Sequence, residues 1–357
     1  MLTKIIYLYV TLLCSIIFFL LSCTQTKTDL KQSTESIGNN IVTDQIPVTN
    51  IPSEDYLIIG GYKTNYLLTH IDNDEWELTS YSVDIGDDYS VNFSGIERIP
   101  YARFLDIWLH DTHKVDFSPI RSISDILTIK LGGRGLTTIP DLGGIPSLEY
   151  LQLHRGRLTN LNGIEKITSL EYLSISGNRE RIMDISALRT HNKLKEITFH
   201  NGSYNIDFSV LKDLTKLEEL AISGCGEVDL NGISQLRSLT KLILISNIMK
   251  ENEERSVYLN YEEIGRMSNL TALYLDESIT SVVFLSNNTN LERLELIADQ
   301  ERSDYSSVLL PLDVSPLRNL THLTYLAIRG FELQNAEVLK SLPNLSFFST
   351  NSYGSSD

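Results

Sequence analysis

"LEYLQLHRGRLTNLNGIEKITS" spans Leu148–Ser169, and the phrase "LEYL" begins again at Leu170. In the first copy Leu151 and Leu153 alternate with Tyr150, Gln152 and His154. That is the period of a short strand with one buried side. Leu158, Leu161, Ile164 and Ile167 then recur every three residues and point back toward that strand. One such unit cannot bury its own apolar side. Units must stack, share a core and align their strands as a parallel ladder.

The same L-x-x-L-x-L template starts coils at Phe104, Ile126, Leu148, Leu170, Leu194, Leu217, Leu239, Leu270, Leu291 and Leu323, with a truncated coil at Leu345. The steps are 22, 22, 22, 24, 23, 22, 31, 21, 32 and 22 residues, the signature of a solenoid. On the far side of the coil, "VDFSPI", "MDISAL", "IDFSVL" and "LDVSPL" place Ser118, Ser186, Ser209 and Ser315 where a hydroxyl is expected to cap a short helical turn. Pro119 and Pro316 suit the first turn position. "LNGI" at Leu161 and Leu230 uses Asn in that role, and "FSGI" at Phe93 extends the pattern into a degenerate entry coil before Phe104.

From Phe104 to about Phe348 the chain resembles leucine-rich repeats of the 22-residue type, found in bacterial internalins and in a eukaryotic protein-phosphatase regulatory subunit. "LDVSPLRNLTHLTYLAI" carries the likeness most closely. The resemblance implies an α/β solenoid: a horseshoe of about ten coils, with the ladder on the concave face and short helical or irregular turns on the convex one. The asparagine that the family places after the strand stands here at Asn178 and Asn247. Thr112, Arg134, Gly156, Gly202, Cys225, Ser278, Asp299 or Phe331 holds the slot elsewhere. The asparagine ladder is therefore expected to be broken, and Cys225 to be a packing residue.

The chain opens "MLTKIIYLYVTLLCSIIFFLLSC", with Lys4, an apolar run and then Ser22-Cys23. This reads as a secretory signal, 1–22. Its end resembles the bacterial lipobox, which implies that Cys23 is acylated and becomes the mature N-terminus. Thr24 follows without the Asp that marks inner-membrane retention, so the outer membrane or cell surface is expected. Cys14 lies in the signal, which leaves Cys225 without a disulfide partner. Residues 23–53 are rich in Thr, Ser, Gln and Asn and read as a disordered tether with a coil dimension of roughly 30 Å. Residues 54–103 read as a β-rich cap with the entry coil, turning at Gly60-Gly61 and Asp72-Asn73-Asp74. Residues 104–357 form the repeat domain.

The formal charge of −16 excludes the basic footprint of a nucleic-acid binder. No nucleotide loop, zinc spacing or nucleophile elbow appears, so neither cofactor nor metal nor enzymatic activity is expected. The outward strand positions are the candidate contact surface: Trp108, His110, Tyr150, Gln152, His154, Tyr172, His200, Tyr274 and Tyr325. His110, His154 and His200 read as one slot on alternate coils, about 9–10 Å apart and too far to share a zinc ion. Exposed Tyr and Trp give large contact area at low entropy cost. Inserts after the strands near Met249 and Asp299 offer a competing edge. The sequence therefore points to a monomeric, lipid-anchored binding protein of the bacterial envelope with a protein or glycan partner. An adhesin fits this description, and so does a periplasm-facing scaffold or inhibitor.

Overall fold

Alternating leucine and isoleucine sends one side of each short strand into a shared interior. The protein is seen here as a computed structural model. It describes residues 57–59, 62–71, 75–84 and 91–92 as strands, and 104–109, 115–123, 125–182, 184–202, 206–245, 257–276, 279–298 and 309–350 more fully. The signal and tether, Cys23, His110 and Asn247 lie outside the described residues, as do 246–256 and 299–308 of the inserts.

Numbered in chain order, the coil strands are β5 (Phe104–Trp108), β7 (Thr128–Gly132), β8 (Tyr150–His154), β9 (Tyr172–Ser176), β10 (Glu196–His200), β11 (Glu219–Ser223), β13 (Lys241–Ile245), β15 (Ala272–Asp276), β16 (Arg293–Ile297), β18 (Tyr325–Arg329) and β20 (Phe347–Ser349). All pair in parallel with their ladder neighbours. Before them come β1 (Leu57–Ile59), β2 (Tyr62–Ile71) and β3 (Glu75–Asp84), paired antiparallel. The end of β3 then joins β5 in parallel, Ser82 opposite Asp106. Short return strands form three side ladders: β4 (Val91–Asn92) with β6 (Val115–Asp116), β12 (Glu227–Asp229) with β14 (Val257–Leu259), and β17 (Leu310–Asp313) with β19 (Phe331–Gln334). This is the expected α/β solenoid, with single helical turns, mostly 3-10, opposite the main ladder.

The core runs the length of the stack. Leu151, Leu173, Ile197, Leu220, Leu242, Leu273, Leu294 and Leu326 stand in register as one buried column. Behind the strand of the opening coil, Leu158, Leu161, Ile164 and Ile167 are buried as their spacing predicts.

The first coil corrects the sequence reading. Leu105 and Ile107 face inward, opposite Ile129 and Leu131, so the L-x-x-L-x-L phase there begins at position 102 and not at Phe104. Phe104, Ile107 and Leu109 satisfy the same template two residues late, which is why the phase was misread. Trp108 therefore holds the slot aligned with His154 and His200, the slot that the sequence reading gave to His110.

The turns correct it again. Asp116, Asp184, Asp207 and Asp313 accept the backbone N–H of Ser118, Ser186, Ser209 and Ser315 at 2.7–2.9 Å. Asp207 is the N-cap of its α-turn, and at the three 3-10 turns the aspartate one residue before the N-cap position accepts the serine N–H; in all four the serine is the donor. A carboxylate accepts such a bond more strongly than a hydroxyl does. In the "LNGI" coils Asn162 likewise donates to Asn160, and Gly163 enters the turn at φ +104°. Only glycine takes that conformation without strain.

Three different side chains tie the coils together behind the strands. Buried Asn178 accepts from the Leu158 N–H at 3.0 Å and donates to the Leu158 carbonyl at 2.8 Å. The Cys225 thiol contacts the Phe199 and Ser223 carbonyls. Tyr258, returning from an insert, donates its hydroxyl toward the Ile222 and Ile245 carbonyls at 2.8 and 3.0 Å. A second polar ladder had gone unread. The residue before the opening leucine (Ser147, Ser169, Ser238, Asn290 or Asn344) bonds a carbonyl of the previous coil.

Candidate binding face

Each five-residue coil strand sets three alternate residues on its outer side, and the parallel register aligns them as three rows. Row one holds Thr128, Tyr150, Tyr172, Glu196, Glu219, Lys241, Ala272, Arg293, Tyr325 and Phe347. Row two includes Asp106, Lys130, Gln152, Ser174, Thr198, Ala221, Ile243, Tyr274 and Glu295. Row three includes Trp108, His154, Ser176, His200, Ile245, Ile297 and Arg329. Every candidate named from the sequence that lies among the described residues stands on this face. Trp108 lies across it from the tyrosine pair and packs against Gly132, where an added Cβ would sit 3.4 Å from the indole.

The aromatic rings are used up on one another. Tyr150 and Tyr172 stack with centroids 4.2 Å apart and planes 3° from parallel. Tyr325 and Phe347 stack at 4.5 Å. Strand spacing of about 4.8 Å enforces both pairs. The Arg293 guanidinium lies 3.8 Å from the Tyr325 centroid and 5.5 Å from that of Tyr274, while bonding Glu295 through Nε and Nη2. The rings therefore stand across the ladder with edges and hydroxyls outward. Burial, together with the neighbouring phenol, raises the Tyr150 hydroxyl well above its usual range, so it stays a neutral donor.

Charges on the face are mostly paired: Lys130 with Asp106 at 3.1 Å, Lys241 with Glu219 at 2.9 Å, Arg293 with Glu295 at 2.5 Å. Glu196 is the exception among the glutamates. Burial, and then the adjoining Glu219 charge, raise its carboxyl to about 7.

His154 Nδ1 and the Ser176 hydroxyl lie 2.5 Å apart, and Nε2 is 3.4 Å from Gln152 Oε1. Burial, then the Lys130 and Arg155 charges, lower the imidazole to about 4, so it is neutral at pH 7. A serine beside a neutral histidine raises the question of nucleophilic chemistry. Among the described residues no carboxylate holds the histidine, and the nearby N–H groups of Arg155 and Gly177 are already spent on the Ser176 and His200 carbonyls. The pair lacks both the orienting acid and the oxyanion donors that acyl transfer needs. Burial also pushes the Cys225 thiol up to about 12, the reverse of an activated nucleophile. Among the described residues no group of three His, Cys, Asp or Glu is placed to hold a metal ion, and no helix is long and apolar enough to cross a membrane.

The sequence reading passed over Ile243, Ile245 and Ile297, which are outward and half-buried. "KLILI" is apolar at both parities, so alternation alone does not separate its two sides.

No family model matches the chain, and no curated protein does. Among solved structures it is similar to a chain of the mouse RP105/MD-1 complex, with TM-score 0.57 and 16% identity over 77% of this chain and 47% of that one. It is also similar to an internalin of Listeria monocytogenes, with TM-score 0.45 and 17% identity over 78% and 87% of the two chains. A leucine-rich repeat protein of Leptospira interrogans matches with TM-score 0.36 and 18% identity over 72% and 80%. The fold is a leucine-rich repeat solenoid.

Proposed function

We propose that this chain is a lipid-anchored binding protein of the bacterial cell envelope whose open ladder face recognises a protein partner. The observation that carries the reading is the row of stacked, pre-ordered side chains on that face. Tyr150–Tyr172 and Arg293–Tyr325–Phe347 are fixed before any partner arrives, which reduces the entropy lost on binding. The ladder spans roughly 50 Å by 15 Å from strand spacing and rise, near the roughly 800 Å² per partner of a stable protein complex. A protein fits better than a glycan. Sugar rings stack on open aromatic faces, whereas these faces are covered and show hydroxyls and edges instead.

Ser174 lies in row two beside Tyr172, and Ser174→Arg is the test. The purified mature chain should capture a partner from extracts of candidate host or neighbouring cells, and the folded variant should not. Capture by both would place binding elsewhere, with the inserts near Met249 and Asp299 next in line.

The anchor rests on the signal that ends at Ser22-Cys23. Fatty-acid labelling should mark the wild type and spare Cys23→Ser, and equal labelling would end that part of the reading. Protease shaving of intact cells separates an outward-facing adhesin from the alternative, a periplasm-facing scaffold or inhibitor.

A further inference from the structure

Two features of the ladder face meet at its middle. The first is Glu196, on β10. The charged residues beside it are tied, Glu219 of row one to Lys241 at 2.9 Å, and Lys195, just before the strand, to Glu171. Glu196 lies directly beside Glu219 on the next strand. The second is an apolar patch starting one strand further on. Ala221 and Ile243 are neighbours in row two, Tyr274 follows Ile243, and Ile245 sits at the row-three end of the same strand. All four are half-buried and face away from the core. Glu295, next to Tyr274 in row two, bounds the patch on its far side. Ion pairs neutralise most of the face, whereas among the described residues Glu196 makes no ion pair and is attracted only by Lys241, which is itself bonded to Glu219, and its charge lies next to this outward apolar surface.

Resting on the ladder-face reading above, we propose that the middle of the face, Glu196 with Ile243, Ile245 and Tyr274, docks a protein segment that carries one basic side chain and apolar side chains about 12–17 Å away, the spacing of two or three strands and two to four residues. Charge complementarity selects this occupant. A cation set against Glu196 relieves both its burial and its repulsion from Glu219, and an acidic residue there would worsen both. The molecule builds the same kind of arrangement for itself four strands from Glu196, where Arg293 joins Glu295 and lies on Tyr325. In an extended segment of about 3.4 Å per residue, side chains four and six positions after the basic one fall on the same side and reach the patch.

The experiment uses the mature chain and three dye-labelled peptides: Arg-Ser-Ser-Ser-Leu-Ser-Leu, the same peptide with Glu for Arg, and the same peptide with Ser for both Leu. Fluorescence anisotropy at pH 7.5 should show the first binding at least tenfold more tightly than either control. Glu196→Gln should cut the Arg-over-Glu preference below threefold, and Ile243→Ser or Ile245→Ser the Leu-over-Ser preference, with unchanged circular dichroism. Equal binding of the Arg and Glu peptides, or no binding of any peptide, overturns the proposal. If that happens while Ser174→Arg still abolishes partner capture, this inference falls and the ladder-face reading stands. If Ser174→Arg also captures normally, both fall.

Discussion

Glu196 on β10 and Glu219 on β11 stand directly opposite each other in the parallel register, on the solvent side of the ladder. Like charges facing each other across strands are destabilising. The ladder tolerates them because Lys241 holds Glu219, and because the Glu196 carboxyl, raised to about 7 by burial and by its neighbour, keeps its proton over part of the neutral range.

That raised carboxyl sets a pH dependence of known sign. An unfolded glutamate titrates near 4.3. Between about pH 4.5 and 7 the folded state holds a proton that the unfolded state has lost, so this group's stabilisation is complete below the window and disappears as pH rises through it. His154 acts oppositely. Its folded value of about 4 lies below the usual 6.5, so its contribution is present above 6.5 and is lost as pH falls toward 4. The two trends offset across pH 4.5–6.5. Glu196→Gln should therefore melt higher than wild type at pH 8, by about 2 kcal/mol in stability, and should expose a loss of stability below pH 6.5 that wild type masks. Thermal melts at half-unit pH steps measure both. A variant as flat as wild type below pH 6.5 would remove His154 from the account.

Leu173 and Ser174 are adjacent in sequence and opposite in fate, one in the core column and one in outward row two. Leu173→Asp puts an unpartnered carboxylate among stacked leucines and should cost at least about 4 kcal/mol. Ser174→Asp should stay within about 0.5 kcal/mol. Urea midpoints decide it, and equal losses would reverse the assignment of the two sides.

How much of this was legible beforehand follows from where the sequence is redundant. An inward slot must be apolar and an outward one need not be, so "LEYLQL" admits one phase and was read correctly. Phe104-Leu105-Asp106-Ile107-Trp108-Leu109 admits two, because apolar residues stand at both parities. Pairing with β7 decides it, and pairing is a property of the stack that no single coil encodes. The same ambiguity hid Ile243 and Ile245 on the face. Glu196 was visible as an outward residue, but that it has no ion pair among the described residues depends on Lys195 reaching back to Glu171, a coil earlier in the chain.

Asn178 and Tyr258 bond backbone carbonyls behind different strands of the stack, the first from its own coil and the second from the return of an insert. Asn178→Ala strands both the N–H and the carbonyl of Leu158 in the interior and should cost about 2–4 kcal/mol. Tyr258→Phe keeps the ring and loses one hydroxyl, at about 1–1.5 kcal/mol. Denaturant unfolding of the two variants checks the ranking. If Tyr258→Phe were the more harmful, the hydroxyl would be the stronger tie.

Arg293 is the most fully engaged cation on the face, lying 3.8 Å from the Tyr325 ring centroid while two of its nitrogens bond Glu295. A lysine keeps the charge but has neither the flat surface for stacking nor the paired donors. Arg293→Lys should therefore lose about 1 kcal/mol although it is formally conservative. Separating the stack from the ion pair takes a double-mutant cycle with Tyr325→Ala, in which a coupling of about 0.5–1 kcal/mol is expected. It should survive 0.5 M salt, because a guanidinium in contact with a ring is screened far less than exposed charges at a distance. Coupling that vanishes in salt would mean that the arginine is held by Glu295 alone. The Tyr325–Phe347 pair would then lack the rigid support on which the case for a pre-ordered face depends.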